Sequence, residues 1–416
     1  SAASDVYKRQ VWKVYAQYDR TDFSTYEGDN RRLFGLGEDN IYVNATFRRH
    51  TSGEWSWFAG AAYSYYNRRI GGAVVSGDNW LERQQETHLK AKVFKRLSSV
   101  FRLDMGIESY IRNYRNHYLL CGTDDSNRMS PTIGAGFFSM AYYPMEQLKM
   151  EFSFRTEYTS PNRKMNFSPR LAANYYWGNM MLSGIVGRYT QLPENSCLVR
   201  RPQLMSEVCM QYNLGVQYDY EGRFCKAELY YKDYDRLALE ETDADTKAVF
   251  LTSNGYGHSK GIDLFFRDRA SFKNLEYQLS YTYNIAKRKY REYLELTTPQ
   301  YATRHNAAWV VKYSLPRLRS IVSVTDRFSS GRPYHNPMLS GLMNDEVKPY
   351  NSLDLGVTFL ASKKVIIHAS TSNILCRKNE FGKVDNKAVL ASSDHFFYVG
   401  VYVTLGKKAA YDVSNF

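Results

Sequence analysis

Apolar and polar residues alternate one for one along most of this chain, and a period of two fits strands rather than helices. Phe101, Leu103, Met105 and Ile107 are separated by Arg102 and Asp104, then Gly106. Leu275, Tyr277, Leu279, Tyr281 and Tyr283 alternate with Glu276, Gln278, Ser280 and Thr282. The same beat runs through Leu353–Phe359 and Phe397–Leu405. Phe396–Val403, eight residues, is the longest run without a polar side chain. It falls far short of the ~20 residues that a membrane-spanning helix needs. A transmembrane β-barrel stays open to such a chain, because its strands hide their lipid-facing residues by alternation.

About eighteen such segments can be counted. They lie near 10–19, 40–50, 54–66, 83–96, 99–113, 130–143, 147–159, 167–176, 179–190, 211–220, 223–236, 255–269, 274–286, 303–314, 317–328, 350–360, 363–374 and 395–406. Many reach the ~9–11 residues that cross a bilayer obliquely. Their connections alternate in length. Short turns fall near 51–54, 97–99, 144–146, 177–179, 221–223, 271–274, 315–317 and 361–363. Long polar segments fall near 20–39, 67–82, 114–129, 190–210, 237–254, 287–302, 329–349 and 375–394, with a shorter one at 160–166. A soluble sandwich has no reason to sort loops this way, whereas an outer-membrane barrel has short periplasmic turns and long extracellular loops. Tyr and Trp gather at segment ends, as in Tyr63, Tyr65, Tyr66 and in Tyr175, Tyr176, Trp177. Amphipathic rings are stable at headgroup level. The sequence therefore predicts an all-β chain, a transmembrane antiparallel up-and-down β-barrel of about eighteen strands. It would form one domain over 11–406, with a periplasmic tail at 407–416.

The net charge is +13. Its basic residues are scattered rather than massed, which argues against a nucleic-acid partner. The five cysteines form no C-x-x-C, so a zinc ribbon or thioredoxin-like site is not expected. Cys197 and Cys209 flank one polar loop and either pair in an oxidising compartment or stay as thiols. The opening SAASDVYKRQ has no apolar core and fits no strand, so residues 1–10 read as a non-native leader. An exported barrel needs a signal, which places the natural N-terminus upstream. No H-E-x-x-H, G-x-S-x-G or phosphate-binding loop is present. No catalytic residue, metal ligand or cofactor is predicted. His305 beside Arg304 reads as a hydrogen-bonded strand-boundary residue, and Glu240–Glu241 as solvated charge.

An ordered series fills the second half. It begins with LMSEVCMQYNLGVQYDYEGRF, followed by NGYGHSKGIDLFFR and TRHNAAWVVKYSL. SSGRPY, YNSLDLGVTF and IHASTSNILCRKNEF come next. In order and spacing this series resembles the C-terminal barrel of TonB-dependent outer-membrane receptors of the Bacteroidota type. The resemblance covers 200–406 by motif and 11–199 by pattern. It implies an N-terminal plug, a TonB energy-coupling complex acting through that plug, and about 22 strands around a plugged lumen. With about eighteen strands and no plug, the chain reads as a C-terminal fragment of such a barrel. The terminal Phe416 is similar to the family's assembly signal.

The resemblance implies energy-coupled import of a scarce solute, such as a ferric siderophore or an oligosaccharide. A glycan importer would also take a surface lipoprotein as partner. Paired basic and aromatic residues in the long segments are the candidate mouth: Tyr114 and Arg115, Arg288 and Tyr290, Arg332 and Tyr334. Guanidinium groups suit an anionic ligand, and rings suit a sugar face or a cation. The same groups would also suit lipopolysaccharide phosphates in the surrounding outer-membrane lipid. Gly261, Gly331, Pro333 and Asn373 read as wall-building residues. Two rival readings are a plug-free, porin-like passive channel and a soluble β-sheet binding protein.

Overall fold

A computed structural model describes residues 10–27, 31–51, 54–72, 78–384, 387–390 and 394–404. Of the expected leader only Gln10 is described, and the tail at 407–416 with Phe416 lies outside the described residues. The period-two segments are β-strands: β1 (Gln10–Glu27), β2 (Arg31–Thr51), β3 (Trp55–Gly71), β4 (Asn79–Arg96), β5 (Phe101–Leu120), β6 (Thr123–Met129), β7 (Thr132–Met145) and β8 (Leu148–Thr159). They continue with β9 (Lys164–Trp177), β10 (Met180–Gln191), β11 (Glu207–Tyr220), β12 (Arg223–Thr242), β13 (Val249–Asp268), β14 (Leu275–Tyr290), β15 (Tyr293–Thr297) and β16 (His305–Leu315). The series ends with β17 (Ser320–Ser329), β18 (Pro333–Tyr334), β19 (Asp345–Glu346), β20 (Tyr350–Ser362), β21 (Val365–Ser372), β22 (Glu380–Val384), β23 (Lys387–Leu390) and β24 (Phe396–Val403). One short helix, α1 (Asn195–Arg200), sits between β10 and β11. Among the described residues no helix is long and apolar enough to cross a membrane.

Twenty of these strands form one sheet. Setting aside β6 and β15, which only extend long hairpins, leaves the eighteen wall strands expected from the alternation. The chain divides into two compact units. In the first, β1 to β5 pair in sequence and antiparallel, and β5–β7–β8 continues the ladder. In the second, β13–β14–β16–β17–β20–β21–β24 pair in the same way. Short turns join β4 to β5, β7 to β8, β11 to β12, β16 to β17 and β20 to β21. The Glu221–Gly222 turn has both residues at positive φ, 47° and 81°, the geometry whose twist matches a two-residue hairpin.

The long segments differ from the loops expected. β1 and β2 run together up to Glu27 and Arg31, and β5 continues past Tyr114 to Leu120 before turning back as β6. Backbone pairing persists there while both faces turn polar, so the hydropathy signal stops before the strand does. The segment 329–349 holds the β18–β19 pair, and 375–394 holds β22–β23.

Alternation sorts the two faces cleanly. In the first unit Trp57, Val93, Met105, Phe138 and Phe154 stand on one face in successive registers. They line an apolar concavity of about 920 Å³ together with Ala59, Ala91 and Gly136. Trp57 is 48% and Ile107 67% exposed, an arrangement stable against hydrocarbon and costly against water. A small conventional core forms where Leu198, Leu204, Ala238 and Leu251 meet, with Cys197 packed against it. Cys197 and Cys209 are half-buried thiols rather than a disulfide.

Candidate functional site

The opposite face of the first unit carries charge. Glu108 lies 3.0 Å from Lys90 and also pairs with Arg155, which reaches Glu157 at 2.6 Å. Lys92 meets Asp104 at 2.7 Å, Arg112 meets Glu86 at 2.7 Å, and Arg68 meets Glu38 at 2.7 Å. Side chains on alternate residues of β2 to β8 build this network, so it lies behind the apolar face. Buried charges are tolerable only when paired and hydrogen-bonded. Every acid named here has a cation within reach.

Tyr114 belongs to this network rather than to a mouth. It is only 1% exposed, and its hydroxyl donates to Glu82 at 2.9 Å. Arg115 follows it in β5 and is exposed on the other face, opposite Arg83 and Arg128. The expected Tyr114–Arg115 pair is thus split by the strand itself, because successive side chains in a strand point to opposite faces. Two further basic loop residues are also engaged: Arg200 pairs with Glu240, and Arg201 donates to the Leu251 carbonyl at 2.5 Å.

In the second unit Arg288 lies near the end of β14 on the polar face. Its guanidinium lies 4.4 Å from the Tyr234 ring centre and 5.8 Å from that of Tyr290, and its Nε is buried without a hydrogen-bond partner. Lys289 is the next strand residue and therefore faces the other way. Arg332 is half-buried beside Phe381 at 5.4 Å and Tyr301 at 5.9 Å. It borders a concavity of about 400 Å³ lined also by Thr282, Asn306, Ser329, Tyr350 and Phe381. Aromatic faces attract a cation but leave its N–H donors unused. Among the described residues neither guanidinium makes a side-chain hydrogen bond, and each lies against aromatic rings.

Tyr334 is buried next to this concavity rather than lining it. Its hydroxyl donates to Asp345, whose carboxylate also accepts from Asn336 at 3.0 Å. These bonds hold the Asp345 carboxyl below the usual carboxylate range. Lys383 sits 5.2 Å from the Tyr334 ring, and Lys348 reaches Glu380 at 2.8 Å. Tyr334 thus ties segment 329–349 to segment 375–394, which carries Phe381 to Arg332. Sequence reasoning missed Phe381, Tyr350, Tyr301 and Tyr234. Each lies in a different segment from the arginine it serves, and only the tyrosine-rich composition hinted at them.

Among the described residues no group of three or more His, Cys, Asp or Glu is placed to hold a metal ion. His305 opens β16, with Tyr281 Oη 2.9 Å from its Nδ1, as a strand-boundary residue should.

The family model described as TonB dependent receptor-like, beta-barrel matches residues 3–371. No curated protein matches the chain. Solved structures do. The outer membrane transporter YddB from Escherichia coli is 10% identical with a TM-score of 0.74, over 95% of this chain and 66% of that one. A mutant of the ferric enterobactin receptor PfeA from Pseudomonas aeruginosa, in complex with enterobactin, is 13% identical with a TM-score of 0.72, over 95% and 68%. The FrpB iron transporter from Neisseria meningitidis is 9% identical with a TM-score of 0.73, over 94% and 68%. The chain thus spans about two-thirds of the length of these structures.

Proposed function

As a member of the TonB-dependent receptor β-barrel family, and so a protein of the bacterial outer membrane, this chain supplies, we propose, the barrel wall and outer mouth of an importer for a scarce anionic solute. The family consists of receptors and transporters. Import of this kind is binding followed by gating, without bond chemistry. A plug and the TonB energy complex supply the gating in the whole protein, and the wall supplies capture and conduit.

The observation that carries the reading is the pair Arg288 and Arg332. Each lies against aromatic rings and makes no side-chain hydrogen bond among the described residues, and Arg332 borders a polar concavity. A planar guanidinium suits carboxylate or catecholate oxygens in forked geometry. A ferric siderophore combines such oxygens with net negative charge, and two of the similar structures are named for ferric enterobactin and iron.

The test is uptake by cells that depend on this receptor. Arg288→Ser with Arg332→Ser should lower apparent affinity for a ferric catecholate by about ten-fold or more, since a hydrogen bond to a charged group contributes ~1.5–3 kcal/mol. Unchanged uptake of every anionic solute tried would remove both residues from the site. Removing the TonB complex should stop uptake altogether. Uptake that continues at the diffusive rate would make the wall a passive channel.

A further inference from the structure

The segment 375–394 is clamped where it leaves the wall. Ser372 of β21 pairs with Phe396 of β24, so the chain leaves and re-enters the sheet at one rung of the ladder. Asn373 is the first residue past that rung and is buried. Its backbone N–H donates to Asp354 Oδ1 at 2.9 Å. Its side-chain amide donates to the Arg377 carbonyl at 2.9 Å and also to the Asp394 carbonyl. One side chain thus fixes both ends of the segment, and breaking either bond would orphan a carbonyl.

The clamp brings together two donor atoms that lie 19 residues apart in sequence. Cys376 Sγ stands 3.7 Å from His395 Nδ1, and both residues are exposed. Cys376 is held in left-handed backbone, φ 50°, by its N–H donating to the Asn373 carbonyl at 2.8 Å. That conformation is unfavourable for a residue with a β-carbon, so the turn places the thiol against a local preference. A thiol is a weak hydrogen-bond donor, and the contact adds little to the fold itself. Its chemistry suits a metal better. Sulfur and imidazole ligands select Cu+ or Zn2+ over Mg2+ and Ca2+. With bonds of ~2.3 Å to sulfur and ~2.0 Å to nitrogen, one ion reaches both donors when they stand roughly 3.6 Å apart at a tetrahedral angle, or roughly 4.3 Å apart in a line. The observed separation falls inside that span.

We propose that the Cys376 thiolate and His395 Nδ1 form a two-donor site for a thiophilic univalent d10 cation of the Cu+ type. Zn2+ takes three or four protein ligands, and among the described residues no third His, Cys, Asp or Glu joins these two. A univalent d10 ion is satisfied by two. Arg377 and Lys378 follow Cys376 directly. They oppose a doubly charged ion, whereas one thiolate cancels a single charge. Binding forms one sulfur–metal and one nitrogen–metal bond and releases the thiol proton to water. The site is independent of the anionic-solute reading.

The experiment titrates the whole receptor in detergent with Ag+, a redox-stable stand-in for Cu+. Other thiols also take Ag+, so the quantity measured is the tightest equivalent, competed against a soluble thiol. The wild type should bind one such equivalent, and Cys376→Ser should lose it. His395→Gln should bind it at least about ten-fold more weakly, since a second donor held in place acts at high effective concentration, while the number of free thiols stays the same. Cys121→Ser removes the other exposed thiol and should leave that equivalent intact. Binding by His395→Gln as tight as the wild type's would reduce Cys376 to a bare thiol and overturn the site. Zn2+ bound more tightly than Ag+, with the same dependence on His395, would overturn the univalent assignment. A measurement on the wild type alone guards against a variant that does not fold. One equivalent of Ag+ should shield Cys376 from a maleimide, read by mass spectrometry, and leave Cys121 open. Equal shielding of the two thiols would count against the proposal as firmly.

Discussion

At the residue scale, sequence shows where space is needed better than it shows what fills it. Gly261 between Lys260 and Ile262 is legible as a position that must stay small. Its neighbour Tyr230 is not legible, because the two meet across the β12–β13 ladder rather than along the chain. A Cβ on Gly261 would stand 2.1 Å from the Tyr283 carbonyl and 2.5 Å from the Tyr230 hydroxyl. That hydroxyl donates to Asn284 at 2.9 Å, and Ser259 donates to the same Asn284 oxygen at 2.8 Å. A ring can swing aside, but a backbone carbonyl in a paired strand cannot. Gly261→Ala should therefore destabilise the wall by ~1–3 kcal/mol, the usual range for overpacking. Gly134→Ala is the matched control, since a Cβ there meets nothing within 4 Å. Urea midpoints in detergent micelles should fall for the first variant and hold for the second. Equal midpoints would mean the wall yields at Gly261. Asn373 shows the more legible case: sequence places it at a strand end, and there its side-chain amide donates to the Arg377 carbonyl at 2.9 Å while its oxygen accepts from the Arg377 N–H at 3.2 Å.

At the scale of elements, the tight turns were readable and the outer segments were not. Short turns carry local chemistry: Gly, Asn and Pro sit where positive φ or a fixed φ is required. The long segments are polar on both faces, so alternation cannot show that β5 runs on to Leu120 or that Pro333–Tyr334 pairs with Asp345–Glu346. What holds that last hairpin against segment 375–394 is electrostatic and therefore depends on pH. Hydrogen bonds from Tyr334 and Asn336 lower the Asp345 pKa, and the Lys348 bond lowers that of Glu380. A depressed acid stabilises fully above its unfolded pKa, ~4 for Asp and Glu, and loses that contribution as pH falls through the lower folded value. Lys383, raised by its contact with the Tyr334 hydroxyl, acts in the opposite sense. Its contribution is complete below ~10.4 and is lost as pH rises through the higher folded value. Hydrogen exchange in 333–347, corrected for the intrinsic rate, should thus be flat from about pH 5 to 10 and rise sharply below the ordinary Asp pKa. Asp345→Asn should bring that rise into neutral solution, where the Tyr334 bond is already weakened. A rise already present at pH 6 in the wild type would show that these bonds do not hold the hairpin.

At the scale of the whole molecule, the alternation that was legible from the start decides which solvent the chain needs. Val401 on β24 is 61% exposed, Leu214 on β11 is 65% and Ile107 on β5 is 67%. Each belongs to a row of same-face neighbours rather than standing alone. Single exposed apolar residues are ordinary, but contiguous apolar surface beyond a few hundred Å² is not stable in water. Behind it the Glu108, Lys90 and Arg155 network needs its cations and acids kept together, which only the paired strands achieve. The two faces therefore reinforce each other: hydrocarbon on one side drives the strands to pair fully, and pairing holds the charges in contact on the other. Sequence could show both faces because each strand reports its own alternation. It could not show that Glu108 meets Arg155, since that contact needs β5, β7 and β8 in register. The expected behaviour follows from this coupling. Purified without detergent, the chain should aggregate. Transferred from urea into detergent micelles, it should gain a β-type circular dichroism spectrum and migrate faster on gels when unheated. Replacing Glu108 with Leu should reduce the yield of that fast species, because Lys90 would then be left charged without its acid, at a cost of ~3–5 kcal/mol, while Arg155 would keep only Glu157. A detergent-free monomer with the same spectrum would mean that the apolar face does not meet lipid, and the membrane assignment would fall with it.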